Sequence, residues 1–234
     1  DEVLFTSGTT GGINLAANIL SLSGRIKAND EVLISALEHH SNIVPWQMLC
    51  QRTGAKLKII PCDDNGTLDL DAFHEALKGP VKILALTSIS NAFGTVNPIA
   101  EMTRAAKAAG AIVLIDAAQS IAHLPTDVQS IGADFLAFSG HKIYAPTGIG
   151  ILWGRKNLLE ELPPWQGGGE MIRDVTTEGF STNDIPWKFE AGTPAIAEAV
   201  GFGAGVDYLT AIGMDAVRAH ERDLTQYTLD ALAD

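Results

Sequence analysis

The sequence has few cysteines, few basic residues and no long apolar run. Only two of its 234 residues are cysteines, Cys50 and Cys62, which is too few for a disulfide framework, and neither has the spacing of a zinc ligand. The 16 Lys and Arg are outnumbered by 28 Asp and Glu, so the formal net charge is −12, which argues against non-specific binding to nucleic acid or anionic membranes. No apolar run reaches the roughly 18 residues of a transmembrane helix. These absences predict a reducing, cytoplasmic environment.

Apolar residues make up 46% of the chain and charged residues 19%, a composition typical of globular domains. A chain of 234 residues is long enough for one large domain or two small ones. Because it starts at Asp1 without a methionine and ends at Asp234 inside a predicted amphipathic helix, we expect it to be part of a longer protein.

Apolar, strand-like segments alternate with helical ones over most of the chain. The predicted strands cover residues 2–6, 31–35, 55–60, 81–87, 111–115, 134–138 and 149–153. The predicted helices cover residues 13–22, 41–52, 69–77, 98–109, 195–212 and 214–233, and a glycine-rich loop that could include a hairpin covers residues 162–192. Apolar strands between helices are typical of a sheet buried on both faces. The sequence therefore predicts an α/β fold, a three-layer sandwich with a mostly parallel central sheet.

The residues that follow each strand are the candidates for a site, because ligands of open α/β sheets bind beyond the carboxyl ends of the strands. After the first strand, the turn of residues 7–12 contains Gly8, Thr9 and Thr10. Glycines allow close backbone approach, hydroxyls donate hydrogen bonds and a helix N-terminus favours an anion, so the turn is a candidate phosphate cradle. The alternative is an ordinary glycine-rich turn with a threonine as the helix N-cap.

Two further strands are followed by a charged residue. Asp116 comes directly after an apolar strand, where a carboxylate either caps the next segment or faces a cationic ring nitrogen of a ligand. Lys142 follows another apolar strand. A lysine is usually a surface cation, but this position between apolar segments favours a partly desolvated amine, whose lowered pKa would suit it to Schiff-base formation.

The segment Glu38-His39-His40-Ser41 lies between a predicted strand and a predicted helix. It represents either solvated histidines with Ser41 as the helix N-cap, or a site where an imidazole stacks on a planar ligand. Adjacent histidines cannot share one helical face, so the segment does not have the HExxH zinc geometry.

Together, the phosphate turn, Asp116 and Lys142 lie at the ends of three different strands. This set matches the needs of pyridoxal 5′-phosphate (PLP), which are a phosphate cradle, a carboxylate on the pyridine nitrogen and a lysine that forms a Schiff base. The set is more specific than any of its members.

Longer motifs also resemble a known family, and they span nearly the whole chain in the family's order. They are Gly8-Thr9-Thr10, Glu38-His39-His40-Ser41-Asn42-Ile43-Val44-Pro45-Trp46-Gln47, Ser90-Asn91 with Gly94-Thr95, Asp116-Ala117-Ala118-Gln119, Ser139-Gly140-His141-Lys142, Tyr144-Ala145-Pro146-Thr147-Gly148 and Phe189-Glu190-Ala191-Gly192-Thr193-Pro194. By these motifs the chain resembles the class V, fold-type I PLP-dependent enzymes, and among them the cysteine desulfurase and selenocysteine lyase group, type II desulfurases in particular.

The resemblance implies a role for each matching residue. Lys142 would carry PLP as a Schiff base and transfer protons, Asp116 would pair with the pyridine nitrogen, and His39 would stack on the ring as an acid/base. The other implied contacts are those of Thr9, Thr10, Ser139 and His141 with the phosphate, Gln119 with the ring hydroxyl, Asn91 with the substrate carboxylate, and Thr193 with the phosphate of a neighbouring subunit. A homodimer with shared sites is implied, and no metal.

The resemblance also implies a reaction. L-cysteine, or L-selenocysteine, would lose its sulfur or selenium to give L-alanine, and the sulfur would pass through an enzyme persulfide to an acceptor protein, as a supply for iron–sulfur cluster assembly. Two alternatives remain. One is another class V enzyme, such as a selenocysteine lyase, an aminotransferase or a kynureninase-like hydrolase, and the other is a non-enzymatic phosphate-binding α/β domain that uses residues 7–12.

The sequence departs from the family, whose N-terminal segment we expect to be absent here. The family's nucleophilic cysteine and carboxylate-binding arginine come from a C-terminal small domain, and neither motif is present here. Cys50 and Cys62 fit packing positions better than the nucleophile. We therefore expect residues 1–234 to be the PLP-binding large domain of a PLP-dependent transferase, with residues 195–234 leading toward the small domain, and we expect this chain to desulfurate cysteine weakly by itself.

Overall fold

The computed structural model describes residues 2–233 and has a seven-stranded central sheet. Its strands are β1 (Val3–Thr6), β2 (Glu31–Ser35), β3 (Lys56–Ile60), β4 (Val81–Thr87), β5 (Ile112–Asp116), β6 (Phe135–Ser139) and β7 (Gly150–Gly154). They are ordered β1-β7-β6-β5-β4-β2-β3 across the sheet. Strand β7 is antiparallel to both of its neighbours, whereas the remaining pairs are parallel. The predicted mostly parallel sheet is confirmed.

Helices and two further strands complete the described chain. The helices are α1 (Thr9–Leu22), α2 (Val44–Thr53), α3 (Leu70–Ala76), α4 (Ile99–Ala108), α5 (Ser120–His123), α6 (Val128–Ile131), α7 (Lys156–Glu161), α8 (Ile196–Ile212) and α9 (Met214–Ala231). Single 3₁₀ turns occupy His40–Asn42, Gly140–Lys142 and Trp187–Phe189. Strands β8 (Ile172–Val175) and β9 (Phe180–Thr182) pair as an antiparallel hairpin inside the segment predicted as a long loop.

The sheet is covered on both faces. In β2, Val32 and Ile34 pack in one core with residues of α1 and α2, whereas Leu33 between them packs in a second core with residues of α3 and α4. Successive side chains of a strand point to opposite faces, so the two cores lie on opposite sides of the sheet. Each fully buried aliphatic side chain contributes about 1.5–3 kcal/mol relative to exposure. The predicted three-layer sandwich is confirmed.

Helix α1 begins at Thr9, four residues before the predicted start, and its first turn contains Gly11 and Gly12 of the predicted glycine-rich turn. The reason is close packing, because a Cβ on Gly12 would lie 3.4 Å from the Cβ atoms of Ala137 and Leu152 on the sheet. A glycine here lets the helix lie directly against β6 and β7.

Helix α2 also differs from the prediction, since it begins at Val44 and not at residue 41. A 3₁₀ turn, His40–Asn42, precedes it, and Pro45 lies in its first turn, where a missing N–H costs no helical hydrogen bond. The short helices α5, α6 and α7 have four to six residues each and were not predicted, because one turn is too short for a periodic pattern.

Candidate active site

Most of the candidate residues meet in one cavity of about 220 Å³ at the carboxyl ends of the central strands. The residues that line it are Thr9, Thr10, His39, Ser41, Thr87, Ile89, Asn91, Asp116, Ala118, Gln119, Ser139, His141 and Lys142. They come from the first turn of α1, from the last residues of β4, β5 and β6, and from the segments that follow β2, β4, β5 and β6. Parallel strands place the segments after their carboxyl ends at one edge of the sheet, which brings together residues far apart in the sequence.

Gly8 shapes the turn that carries Thr9 and Thr10 into the cavity. Its φ of 132° and ψ of −178° are strained for any residue with a Cβ, and a Cβ there would lie 3.1 Å from Ser139 Oγ. Gly8 is also the N-cap residue of α1, and within residues 2–233 no side chain caps the helix. The alternative in which a threonine caps this helix is therefore wrong.

The first turn of α1 presents hydrogen-bond donors. The Thr9 N–H donates to Ser139 Oγ at 2.8 Å, and the two hydroxyl oxygens lie 2.7 Å apart. The N–H groups of Thr10 and Gly11 have no hydrogen-bond partner among residues 2–233. Because the N-terminus of a helix carries partial positive charge, this turn can bind an anion.

Asp116 ends β5 as a buried carboxylate, 3% exposed. Its Oδ1 accepts the N–H of Ala118 at 2.9 Å. Asp116 therefore does bond to the backbone of the next segment, as the capping alternative predicts. Burial raises the pKa of Asp116, while this hydrogen bond and the charges of His39 and Lys142 oppose the rise. A buried carboxylate with one internal donor can stabilise a positive charge in the cavity.

Lys142 lies in the 3₁₀ turn that follows β6. This turn is held between the start of β7 and α8. The Gly140 N–H donates at 2.9 Å to the carbonyl oxygen of Ile149, the residue before β7, and a Cβ on Gly140 would lie 2.9 Å from the Phe202 ring of α8. Lys142 lines the cavity but is exposed. The predicted partial desolvation of its amine is therefore not seen among residues 2–233, where the residue is exposed.

His39 is held by the backbone of its own turn. Ser41 donates its N–H to His39 Nδ1 at 3.1 Å, and Ser41 Oγ lies 2.8 Å from the same nitrogen. A ring nitrogen that accepts an N–H carries no proton, so the neutral ring has its proton on Nε2. The alternative in which Ser41 caps a helix is wrong, since the residue that caps α2 is Ile43.

The remaining candidates differ in burial. Gln119 is half-buried, whereas Asn91 and His141 are exposed, and all three line the cavity. Thr193 does not join them. It lines a separate cavity of about 420 Å³ that also includes Ser7 and Gly11, so the two cavities share the turn that opens α1.

Glu38 is a buried acid that the sequence analysis did not single out. It is 8% exposed and accepts hydrogen bonds from Ser35 Oγ at 2.5 Å, Asn42 Nδ2 at 2.6 Å and the Thr87 N–H at 2.9 Å. Burial raises the pKa of Glu38 to about 7 in spite of these donors, and the charge of Asp116 adds to the rise. A signal in the sequence is its position three residues after an apolar strand, next to His39.

Glu38 makes the stability of the chain depend on pH. Its pKa rises from 4.5 to about 7 on folding, so within this window the folded chain holds a proton that the unfolded chain has lost. The free energy of unfolding therefore falls as pH rises from 4.5 to about 7, by about 3 kcal/mol from this group. Urea unfolding across this range should show that fall in the parent protein relative to Glu38→Gln. A difference between the two proteins that is constant with pH would contradict the assignment.

Neither a metal centre nor a membrane-spanning helix is found in the part of the chain that the structure describes. No three His, Cys, Asp or Glu side chains among residues 2–233 lie close enough together to hold a metal ion. No helix within the same residues combines the length and apolarity that crossing a bilayer requires.

Comparisons with known proteins agree with this architecture. A probable cysteine desulfurase of Streptomyces coelicolor is 49% identical over 237 residues, which cover 100% of this chain and 57% of the relative. A cysteine desulfurase of Dickeya dadantii is 48% identical with the same coverage. The crystal structure of the cysteine desulfurase CsdA from Escherichia coli superposes with a TM-score of 0.95 at 41% identity, covering 100% of this chain and 58% of that one.

The chain thus spans about 57% of the length of the curated relatives that it matches. The aminotransferase class-V family matches residues 1–234, which is the whole sequence. In the folded chain, the mostly parallel sheet carries the cavity at the carboxyl ends of its strands. The chain belongs to the aminotransferase class-V family.

Proposed function

We propose that this chain is the PLP-binding part of a cysteine desulfurase, which converts L-cysteine to L-alanine and transfers the sulfur to a protein thiol. One observation carries the proposal, which is that a single cavity holds a buried carboxylate, an exposed lysine amine and the N-terminal turn of a helix. The relatives named cysteine desulfurase support the choice of reaction.

The residues of the cavity fit PLP. The N–H groups of Thr10 and Gly11, which have no partner among residues 2–233, suit the phosphate, together with the hydroxyls of Thr9 and Ser139 and the ring of His141. Asp116 suits the protonated pyridine nitrogen, and Gln119 suits the ring hydroxyl. PLP bound here would supply an electron sink for charge that develops on the substrate α-carbon.

Each side chain has a proposed role that follows from its charge and position. Asp116 would keep a positive charge on the ring nitrogen, because its buried carboxylate has a single internal donor. Lys142 would hold the cofactor covalently and move the substrate α-proton at Nζ. His39 would lie against the ring and donate from Nε2, since its Nδ1 is occupied by Ser41. Asn91, exposed at the rim, would bind the substrate carboxylate.

The attacking thiolate is proposed to come from outside this chain. Cys50 and Cys62 are half-buried free thiols, and neither lines the cavity. Burial raises the pKa of Cys50, which disfavours the nucleophilic thiolate. We therefore propose that residues 1–234 are the large domain, that residues 195–234 lead to a smaller one, and that the cysteine and the carboxylate-binding arginine are supplied there.

Finer features of the proposal extend beyond the cavity. Thr193, in the neighbouring cavity, would contact the phosphate of a second subunit, so that a homodimer shares its sites. A sulfur-acceptor protein would take the persulfide sulfur for iron–sulfur cluster assembly in the cytoplasm. Selenocysteine as substrate is kept as an alternative to cysteine.

The visible spectrum of the chain with added PLP tests the cofactor assignment. We expect a new visible band in the parent protein and in Lys27→Ala, because Lys27 is an exposed lysine that does not line the cavity. Lys142→Ala should lack this band, since it removes the amine that bonds to the aldehyde. An unchanged band in Lys142→Ala, or no band in the parent, would count against PLP binding and favour a simple phosphate-binding domain.

A further inference from the structure

The Glu38 carboxylate links three segments, which are the end of β2, the end of β4 and the 3₁₀ turn before α2. Its Oε1 accepts Ser35 Oγ at 2.5 Å at the end of β2 and the Thr87 N–H at 2.9 Å at the end of β4. Its Oε2 accepts Asn42 Nδ2 at 2.6 Å from the 3₁₀ turn before α2. Two of these three donors, the Thr87 and Asn42 N–H groups, cannot act as acceptors in this arrangement.

The orientation of the Asn42 amide is fixed by Trp46. The indole Nε1–H of Trp46, which can only donate, bonds to Asn42 Oδ1 at 2.8 Å. Asn42 must therefore turn its Nδ2 toward Glu38. Trp46 is fully buried in the core beside α1, so the carboxylate is anchored to packed residues through a single amide.

Two cavity-lining groups depend on this anchor. His39 lies between Glu38 and Asn42, and its carbonyl oxygen accepts the Asn42 N–H at 2.7 Å, so both ends of its turn are tied to the anchored pair. Thr87 lines the same cavity, and its hydroxyl donates to Ile89 O at 2.8 Å, at the start of the loop that carries Asn91.

We propose that Glu38 is a positioning residue that sets where His39 and the end of β4 stand in the cavity, and that protonation of its carboxylate loosens both. For the chain without PLP, the proposal depends only on the hydrogen bonds around Glu38. Where PLP serves as the probe, the proposal also rests on the proposed function. Glu38 acts through its hydrogen-bond partners and does not line the 220 Å³ cavity that holds Asp116 and Lys142.

Protonation affects one of these bonds in particular. The Ser35 hydroxyl is the one donor of the three that can turn to accept, so the added proton sits on Oε1 and weakens its bond from the Thr87 N–H. The titratable groups around this site are His39 and His40 in the same turn and Asp116 on β5. Lys142, after β6, acts on Asp116. The pKa of Glu38, about 7, places the change in a range where the folded chain can be studied.

The test on the apo chain is an NMR titration that requires no cofactor. We expect the Thr87 amide resonance of the parent protein to shift with a midpoint near pH 7, the pKa of the Glu38 carboxylate that it donates to. In Glu38→Gln the Thr87 shift should be lost. The matched control is Glu31→Gln, which removes a buried carboxylate, 7% exposed, from the opposite end of β2 and should leave the Thr87 titration unchanged.

The test on the PLP-loaded chain measures visible circular dichroism per bound cofactor and PLP affinity. We expect Glu38→Gln to lose the dichroism and to bind PLP about tenfold or more weakly, because the hydrogen bonds to the charged carboxylate are lost. Glu31→Gln should retain both the dichroism and the affinity. If Glu38→Gln does not fold, Trp46→Phe replaces it, because losing the indole N–H frees the Asn42 amide.

Two results would overturn the proposal. One is a Thr87 amide shift in the parent protein that does not titrate near pH 7, and the other is a Glu38→Gln protein that matches Glu31→Gln in dichroism and affinity. If the parent protein binds no PLP, the proposed function fails by itself, and the apo titration still decides the role of Glu38.

Discussion

Asp116→Asn is expected to slow the PLP-dependent chemistry at the substrate α-carbon by about 100-fold or more without destabilising the fold. Removing one preorganised electrostatic partner of a reacting group typically has an effect of about 10²–10³. Asparagine keeps an oxygen that can accept the Ala118 N–H and removes a charge whose burial raises the pKa of Asp116. The free energy of unfolding at neutral pH should therefore equal or exceed that of the parent.

The assay for this variant is exchange of the α-hydrogen of L-alanine for solvent deuterium in the PLP-loaded chain, because this step requires no attacking cysteine. The matched control is Asp134→Asn. Asp134 is as buried as Asp116, at 3% exposure, but it lies at the far end of β6 and binds Lys107 Nζ at 2.7 Å. We expect the control to lose about 1–3 kcal/mol of stability and to keep the exchange rate. Asp116→Asn with parental exchange would contradict the role of Asp116.

Gly8→Ala is expected to remove the preference of the chain for a phosphorylated ligand. A Cβ at Gly8 is strained by its φ of 132° and lies 3.1 Å from Ser139 Oγ, so the turn that presents the Thr10 and Gly11 N–H groups must move. Charge-assisted hydrogen bonds contribute about 1.5–3 kcal/mol, and we therefore expect PLP affinity to fall about tenfold to 100-fold.

Pyridoxal, which lacks the phosphate, makes this measurement specific. The parent protein should bind PLP more tightly than pyridoxal, and Gly8→Ala should bind the two alike. Gly24→Ala is the control, since Gly24 also has a positive φ of 69° but a Cβ there meets nothing within 4 Å. If Gly8→Ala lowers the affinities for PLP and for pyridoxal no more than Gly24→Ala does, the α1 turn is not the phosphate cradle.

The sequence could predict the sheet and most of the cavity because both follow from short-range signals. Each central strand is an apolar run, and Asp116 and Lys142 come at or just after the end of such runs. The carboxyl-edge rule for parallel sheets then brings residues separated by dozens of positions to one place. That rule states which edge holds the site, and it requires no knowledge of individual contacts.

What the sequence could not show depends on long-range packing. Glu38 bonds to Thr87, 49 positions away, and only the folded chain shows that this carboxylate is buried. Gly8 and Gly12 indicated a turn, but the start of α1 depends on contacts of Gly12 with Ala137 and Leu152. The exposure of Lys142 likewise depends on how far neighbouring segments cover the cavity, which no local pattern encodes.

The most direct test of the account is to locate the bond between PLP and the chain. Borohydride reduction of the PLP-treated protein fixes a Schiff base as a stable amine, and peptide mass mapping identifies the modified residue. We expect a single phosphopyridoxyl group per chain, on Lys142, which lines the cavity with Asp116 and the α1 turn. A label spread over surface lysines, with Lys142 unmodified, would contradict it.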